Sequence, residues 1–283
     1  MKPVLEVKGL NKDWGAFALK DVSFSLLEGC ITGFIGVNGA GKTTTMKSIL
    51  GLIVKDAGEI SFYGKNVQLM EREFKNRIGI VLDEGYFYED LTLLEMKKII
   101  APAYSNWDEA AFKNHMERFG LRQGQQIGTL SKGMRMKYAI ALALSHHPDL
   151  LIMDEPTSGL DPQVRLELMD ILLHFVKQDG KSVFFSTHIT SDLDKVADAL
   201  IFIDNGRIIL NEEKDALLDR HGLVKGDRRE LNERTRELFL TLQETGYGFS
   251  GLTDNKTAVR GQMGNVLIER PTIEDVMLSY IRR

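Results

Sequence analysis

Ile31-Thr-Gly-Phe-Ile35-Gly36-Val-Asn38-Gly39-Ala40-Gly41-Lys42-Thr43-Thr44 is the stretch whose reading decides the fold. Its first five residues form a short apolar run between glycines, which suits a buried strand. After the loop, Met46, Ile49 and Leu50 recur at helical spacing until Gly51 ends the pattern. The loop matches GxxxxGK[ST]. Its glycines let the backbone curl so that successive N–H groups face phosphate oxygens. The helix that starts near Thr43 adds the positive end of its dipole. Lys42 brings a charge to the β- and γ-phosphates, and the Thr43 hydroxyl can bind Mg²⁺. The expected phosphate-binding set is therefore Gly36, Asn38, Gly39, Ala40, Gly41, Lys42, Thr43 and Thr44. The loop alone does not separate an ATPase from a GTPase or a small kinase.

Further along, Leu150-Leu-Ile-Met-Asp154-Glu155 is an apolar strand that ends in two carboxylates. Buried charge needs a partner, and Mg²⁺ beside a triphosphate is one. An Asp at a strand terminus suits the metal, which assigns that role to Asp154. Glu155 is then placed to orient or deprotonate an attacking water.

The remaining pattern is alternating. Val4 to Val7 and Val22 to Leu26 read as strands, and Leu91 to Arg118 reads as helical with a break near Pro102. Lys132 to Leu144 is a helix stopped by Pro148. Gln163 to Lys177 is another, with an apolar stripe of Val164, Leu168, Leu172, Phe175 and Val176. Val183 to Ser186 is a strand, and Ile201 to Leu210 a hairpin turned at Asn205-Gly206. Strands that alternate with helices imply a parallel-rich α/β sheet. Beyond about residue 215 the character changes. Glu230 to Glu244 reads as a charged amphipathic helix and Val266 to Ile268 as a strand. Pro271-Thr272 opens a last helix, with Thr272 and Asp275 at capping-box spacing. This tail reads as a small accessory element, so removing residues after about 220 is expected to leave nucleotide binding intact.

Composition limits the function classes. The 283 residues are 43% hydrophobic and 27% charged, with a net charge of -4, which makes no electrostatic case for nucleic acid as the main ligand. Cys30 has no cysteine to pair with, which suits a reducing compartment and a small buried side chain. The opening MKPVLEVKGL carries no long apolar signal segment, and no run approaches the length of a membrane span. A membrane role would need a partner protein.

Taken together, these motifs resemble the nucleotide-binding subunit of ABC transporters. Leu130-Ser-Lys-Gly-Met134 is similar to the family signature LSGGQ, with Lys132 and Met134 as departures. Ser158-Gly-Leu-Asp161 resembles the D-loop, and Thr187-His188 the switch histidine. Trp14 falls where the family puts an aromatic that stacks on adenine, with Phe17 as its rival. The resemblance covers about residues 4 to 215. It implies a P-loop NTPase core of mostly parallel sheet with flanking helices, plus an antiparallel β subdomain, a helical subdomain and a small C-terminal α+β extension. The implied division is a cassette over 1–215, with its helical subdomain at about 86–147, and an extension over 216–283.

The resemblance also implies two cassettes bound head to tail, as a homo- or heterodimer, with each ATP under the other copy's signature. Ser131, Gly133 and Asp161 then join the nucleotide-binding set, Glu155 and His188 are the catalytic pair, and Thr43, Asp83 and Asp154 face Mg²⁺. Asp83 stands where the family has a glutamine. The implied partner is an integral membrane subunit, and the implied location is peripheral, on the cytoplasmic face of the membrane. No nucleic acid partner is expected. The activity would be ATP hydrolysis coupled to transport, in an exporter of the antibiotic or peptide branch. The alternative is a soluble ABC ATPase acting on ribosomes or nucleic acid. Such proteins carry two cassettes in one chain or a long coiled-coil insertion, and this chain has neither. A GTPase or kinase is disfavoured by the signature, the D-loop and His188, and by the absence of an Asn-Lys-x-Asp pattern.

Overall fold

The computed structural model describes residues 2–82 and 87–281. At its centre is a six-stranded sheet. From one edge to the other it runs Arg207–Glu213, Ala199–Asp204, Ile31–Ile35, Ser182–Thr187, Leu150–Asp154 and Ile78–Val81. All neighbours are parallel except the outermost pair, the hairpin turned at Asn205-Gly206. Both turn residues have positive φ, 46° and 74°, as a tight two-residue hairpin turn requires. The strands Ile31–Ile35, Leu150–Asp154 and Ser182–Thr187 are buried at every position, which explains their largely apolar sequences.

Each face of this sheet has its own core. On one side lies a four-stranded antiparallel sheet in the order Ala18–Leu27, Pro3–Asp13, Ala57–Phe62, Lys65–Asn66. The helix Lys42–Ile49 shares that core through Met46 and Ile49, and the rings of Phe24, Phe34 and Phe184 meet there at 5.3–5.8 Å. On the other side pack Lys132–Leu144, Pro162–Val176 and Thr190–Val196. Cys30 is buried, and burial pushes its thiol above the ordinary value.

The helical subdomain has a separate small core of Leu93, Met96, Phe112, Met116 and Tyr138. The segment expected to be helical up to a break near Pro102 splits into Leu93–Ile100, a tight turn at Ala101–Ala103, and Glu109–Arg118. Each long helix has its own start signal: Thr92 and Glu95 form a capping box, and Asp108 accepts from the amides of Ala110 and Ala111. The subdomain is pinned to the sheet by His146. Its Nε2 lies 2.9 Å from the Ile78 carbonyl and its ring stacks on Tyr104 at 3.8 Å, while burial pushes the imidazole below its ordinary pKa.

Beyond the hairpin comes a third sheet, antiparallel, in the order Thr241–Glu244, Phe249–Thr253, Gly222–Gly226, Val266–Glu269. The long helix expected over 230 to 244 is not formed. Only Glu233–Arg236 is helical, and Thr241–Glu244 pairs as an edge strand. The reason lies in the spacing: Leu240 and Leu242 alternate with Thr241 and Gln243, the period of a strand, and Leu240 N–H donates to Leu252 O at 2.7 Å. The last helix, Ile273–Ile281, starts as its sequence predicts, with Thr272 and Asp275 exchanging hydrogen bonds.

This tail shares a core with the rest of the chain. Leu217 and Leu218 of the helix Lys214–Arg220, then Leu252, Ile273 and Val276, belong to one buried cluster with Leu193 and Val196 of the helix Thr190–Val196. Among the described residues no helix is long and apolar enough to cross a membrane. The shared core predicts that Ile273→Ala destabilises the whole chain, by about 2–5 kcal/mol. Chemical denaturation should then show one transition at lower denaturant, and a separate tail transition with the main one unmoved would contradict it.

Candidate functional site

The parallel register brings three strand ends to one edge of the central sheet. Ile35 lies opposite Thr187, and Asp154 opposite Ser186. The loop after Ile35, the Asp154-Glu155 pair and Thr187-His188 therefore converge where open α/β sheets bind ligands, at the carboxyl ends of their strands.

Lys42 is 6% exposed, and its Nζ donates to the Gly36 carbonyl at 2.7 Å. The same Nζ lies 3.1 Å from Glu155 Oε1. The other oxygen of Glu155 lies 2.8 Å from His188 Nδ1 and accepts the His188 amide at 3.3 Å. Lys42, Glu155 and His188 thus form one continuous polar chain. Glu155 has φ 48°, left-handed backbone that a residue other than glycine seldom adopts, at a cost of about 1–3 kcal/mol.

Ser186, a residue the sequence reading did not single out, ties the two acids together. Its hydroxyl donates to Asp154 Oδ1 at 2.5 Å and accepts the Glu155 amide at 3.0 Å. The only hint in the sequence is a hydroxyl residue in the otherwise apolar run Val183-Phe-Phe-Ser186.

The loop itself fits a polyphosphate. Gly41 has φ 114°, and a side chain there would come within 2.7 Å of Leu19 Cδ2 and 2.9 Å of Phe17 Cζ. The amides of Gly39 and Gly41 donate to no acceptor among the described residues. Those at the start of the helix Lys42–Ile49 are free by helix geometry. Thr43 and Asn38 are exposed, Thr44 is half-buried and Ala40 is buried. Trp14 is 56% exposed, under Lys12 Nζ at 5.0 Å, whereas Phe17 packs into the core beside the loop. Trp14 is therefore the ring with a free face.

Ser131 and Asp161 stand apart from this cluster. Both are exposed, and each caps a helix: Ser131 Oγ accepts the Met134 amide at 3.2 Å, and Asp161 accepts from Gln163 and Val164. Among the described residues no hydrogen bond or ion pair joins either one to Lys42, Asp154 or Glu155. Gly133 is buried against Val164. Asp83 lies outside the described residues.

Residues 19–158 match the family described as "ABC transporter". The bacitracin transport ATP-binding protein of Bacillus licheniformis is 34% identical, over 78% of this chain and 73% of that protein. A lantibiotic transport ATP-binding protein of Streptococcus pyogenes is 34% identical, over 75% and 92%. An uncharacterised ABC transporter ATP-binding protein of Bacillus subtilis is 29% identical over 95% of this chain and 83% of its own length. A solved structure of the ATP-binding subunit of an ABC transporter superposes with a TM-score of 0.69 at 30% identity, covering 76% of this chain and 92% of that one.

Removing the Ser186 hydroxyl leaves a buried Asp154 carboxylate oxygen short of a partner, while the Glu155 amide keeps the Ser186 carbonyl at 3.2 Å, so Ser186→Ala should cost about 1–3 kcal/mol. Equilibrium unfolding measures this, and an unchanged midpoint would show that the hydroxyl does not hold the two acids.

Proposed function

The chain belongs to the ATP-binding subunits of ABC transporters, and from that premise we propose that Lys42, Asp154, Glu155 and His188 bind and hydrolyse ATP to drive an exporter. The family's cassettes are ATPases that power a membrane transporter. The observation that carries the residue assignment is the polar chain from Lys42 through Glu155 to His188.

A triphosphate entering the loop meets the free amides of Gly39 and Gly41 and competes with Gly36 O and Glu155 for Lys42 Nζ. As the ammonium turns to the phosphate, Glu155 loses its cationic partner and becomes available to water. Glu155 then accepts the proton as the water oxygen bonds to the γ-phosphorus. The bond from that phosphorus to the bridging oxygen breaks, leaving ADP and inorganic phosphate. His188, hydrogen-bonded to Glu155, would contact the γ-phosphate and report its loss. Thr43 and Asp154 offer the hard oxygen donors that suit Mg²⁺, which supplies positive charge to the phosphate oxygens. Asp83 is the remaining candidate for that set. Trp14 stacks on adenine through its free face.

Exposure of Ser131 and Asp161, away from their own chain's cluster, supports a second cassette. Ser131, Gly133 and the N-terminus of the helix Lys132–Leu144 would close over a neighbour's γ-phosphate. The transport relatives support a partner that spans the membrane and holds the transport path, with the cassette on that partner's cytoplasmic face. A relative of Ralstonia nicotianae named for Nod factor export, 34% identical over 76% of this chain, supports the export direction. The extension over 216–283, docked on the helix Thr190–Val196, acts as an accessory to the 1–215 cassette.

Glu155→Gln should keep ATP affinity, reduce turnover by about 10²- to 10⁴-fold, and accumulate an ATP-bound dimer on size exclusion. Wild-type turnover would remove Glu155 from the base role. Calorimetry on Lys42→Ala should show most nucleotide affinity lost, and unchanged binding would remove Lys42 from the phosphate site.

A further inference from the structure

Two helices start directly after the site's loops: Asp161 caps Pro162–Val176, and His188 immediately precedes Ile189 and the helix Thr190–Val196. Arg165 lies in the first turn of the former, and its amide donates to the Asp161 carbonyl at 3.0 Å. Asp192 lies in the first turn of the latter. Arg165 Nη2 donates to Asp192 Oδ1 at 2.6 Å, with the Asp192 side chain 2% exposed. A half-buried ion pair, with Asp192 buried and Arg165 partly exposed, therefore ties the two first turns together.

Such a pair is weak evidence for stability. Withdrawing two ions from water is costly, and apolar replacements of similar volume are often neutral or stabilising. Its surroundings suggest what it positions instead. Val164, beside Arg165, packs against Gly133 at the start of the signature helix, where an added side chain would meet both Val164 methyls at 3.2 Å. Leu193, beside Asp192, sits on Gly33 of the strand that feeds the phosphate loop, leaving no room for a side chain there. The pair thus bridges the signature and D-loop side of the molecule to the His188 side.

We propose that Arg165 is a positioning residue that, through Asp192, holds the Asp161 loop and the His188 loop as one frame, so that the switch histidine and the face offered to a second cassette move together. The pair uses one prong only. Arg165 Nε and Asp192 Oδ2 are buried and find no partner among the described residues, so the guanidinium can pass to a two-pronged grip without losing contact. Lysine, a point charge, has no such second register.

This inference rests on the proposed roles of Asp161 and His188, and the test separates the two. The purified full-length chain is assayed for melting temperature, ATP affinity, and kcat and KM. Three variants are compared with wild type: Arg165→Met combined with Asp192→Leu, Arg165→Lys, and His188→Ala. The double variant should fold and bind ATP as wild type does, with KM unchanged and kcat reduced about tenfold or more, as expected for misplaced catalytic groups. Arg165→Lys should restore part of kcat. In the Glu155→Gln background, the double change should also weaken ATP-dependent dimerisation. A folded double variant with wild-type kcat, while His188→Ala is impaired, overturns the positioning role. Wild-type turnover by His188→Ala sinks the switch reading itself, and the proposal with it. If the double variant fails to melt cooperatively, Arg165→Lys decides: full kcat in that folded variant overturns the proposal.

Discussion

The Glu155 carboxylate is shared between the Lys42 ammonium at 3.1 Å and the His188 imidazole at 2.8 Å, and the architecture of the site depends on that sharing. Three strands contribute one member each, so the contact exists only if the strands keep their order and register. Parallel pairing fixes the register, and complete burial on both faces leaves no alternative slip that would keep the apolar side chains inside. The polar chain is thus a product of the apolar sheet beneath it. The strained backbone at Glu155 is tolerated because Ser186 and the adjacent strand hold both its amide and its neighbour Asp154.

Much of this was legible in the sequence because local chemistry and global fold agree. The glycine-rich loop sits between an unambiguous strand and helix, the apolar strand ends in paired acids, and Asn205-Gly206 marks its hairpin. The Thr272–Asp275 box likewise announces a helix from a few residues. What escaped the reading depends on distant partners. Ser186 is one hydroxyl in an apolar run, and only the pairing of its strand with Leu150–Asp154 sets it beside the Asp154 carboxylate and the Glu155 amide. Arg165 and Asp192 belong to different helices, and no periodicity links them. The segment after Glu230 misled because its charges suit a helix surface, while its leucines keep the period of a strand edge that exists only once Phe249–Thr253 is there to receive it.

The two faces of the central sheet divide the labour. One face packs the antiparallel sheet and the helix Lys42–Ile49 over a core in which three aromatic rings meet. The other carries the helices that follow Asp161 and His188, and it extends without a break into the tail through Leu252, Ile273 and Val276. The tail therefore packs against the helix Thr190–Val196, which begins two residues after His188, whereas the antiparallel sheet lies on the opposite face.

The strand order has a consequence for how the protein is made. Ile31–Ile35 lies between Ser182–Thr187 and Ala199–Asp204, so both its neighbours leave the ribosome long after it does. Until then a largely apolar ribbon has two unpaired edges, the condition under which nascent chains stick to one another. Pairings this remote in sequence also close slowly. A segment buried at every position in the finished molecule is thus exposed for most of its synthesis.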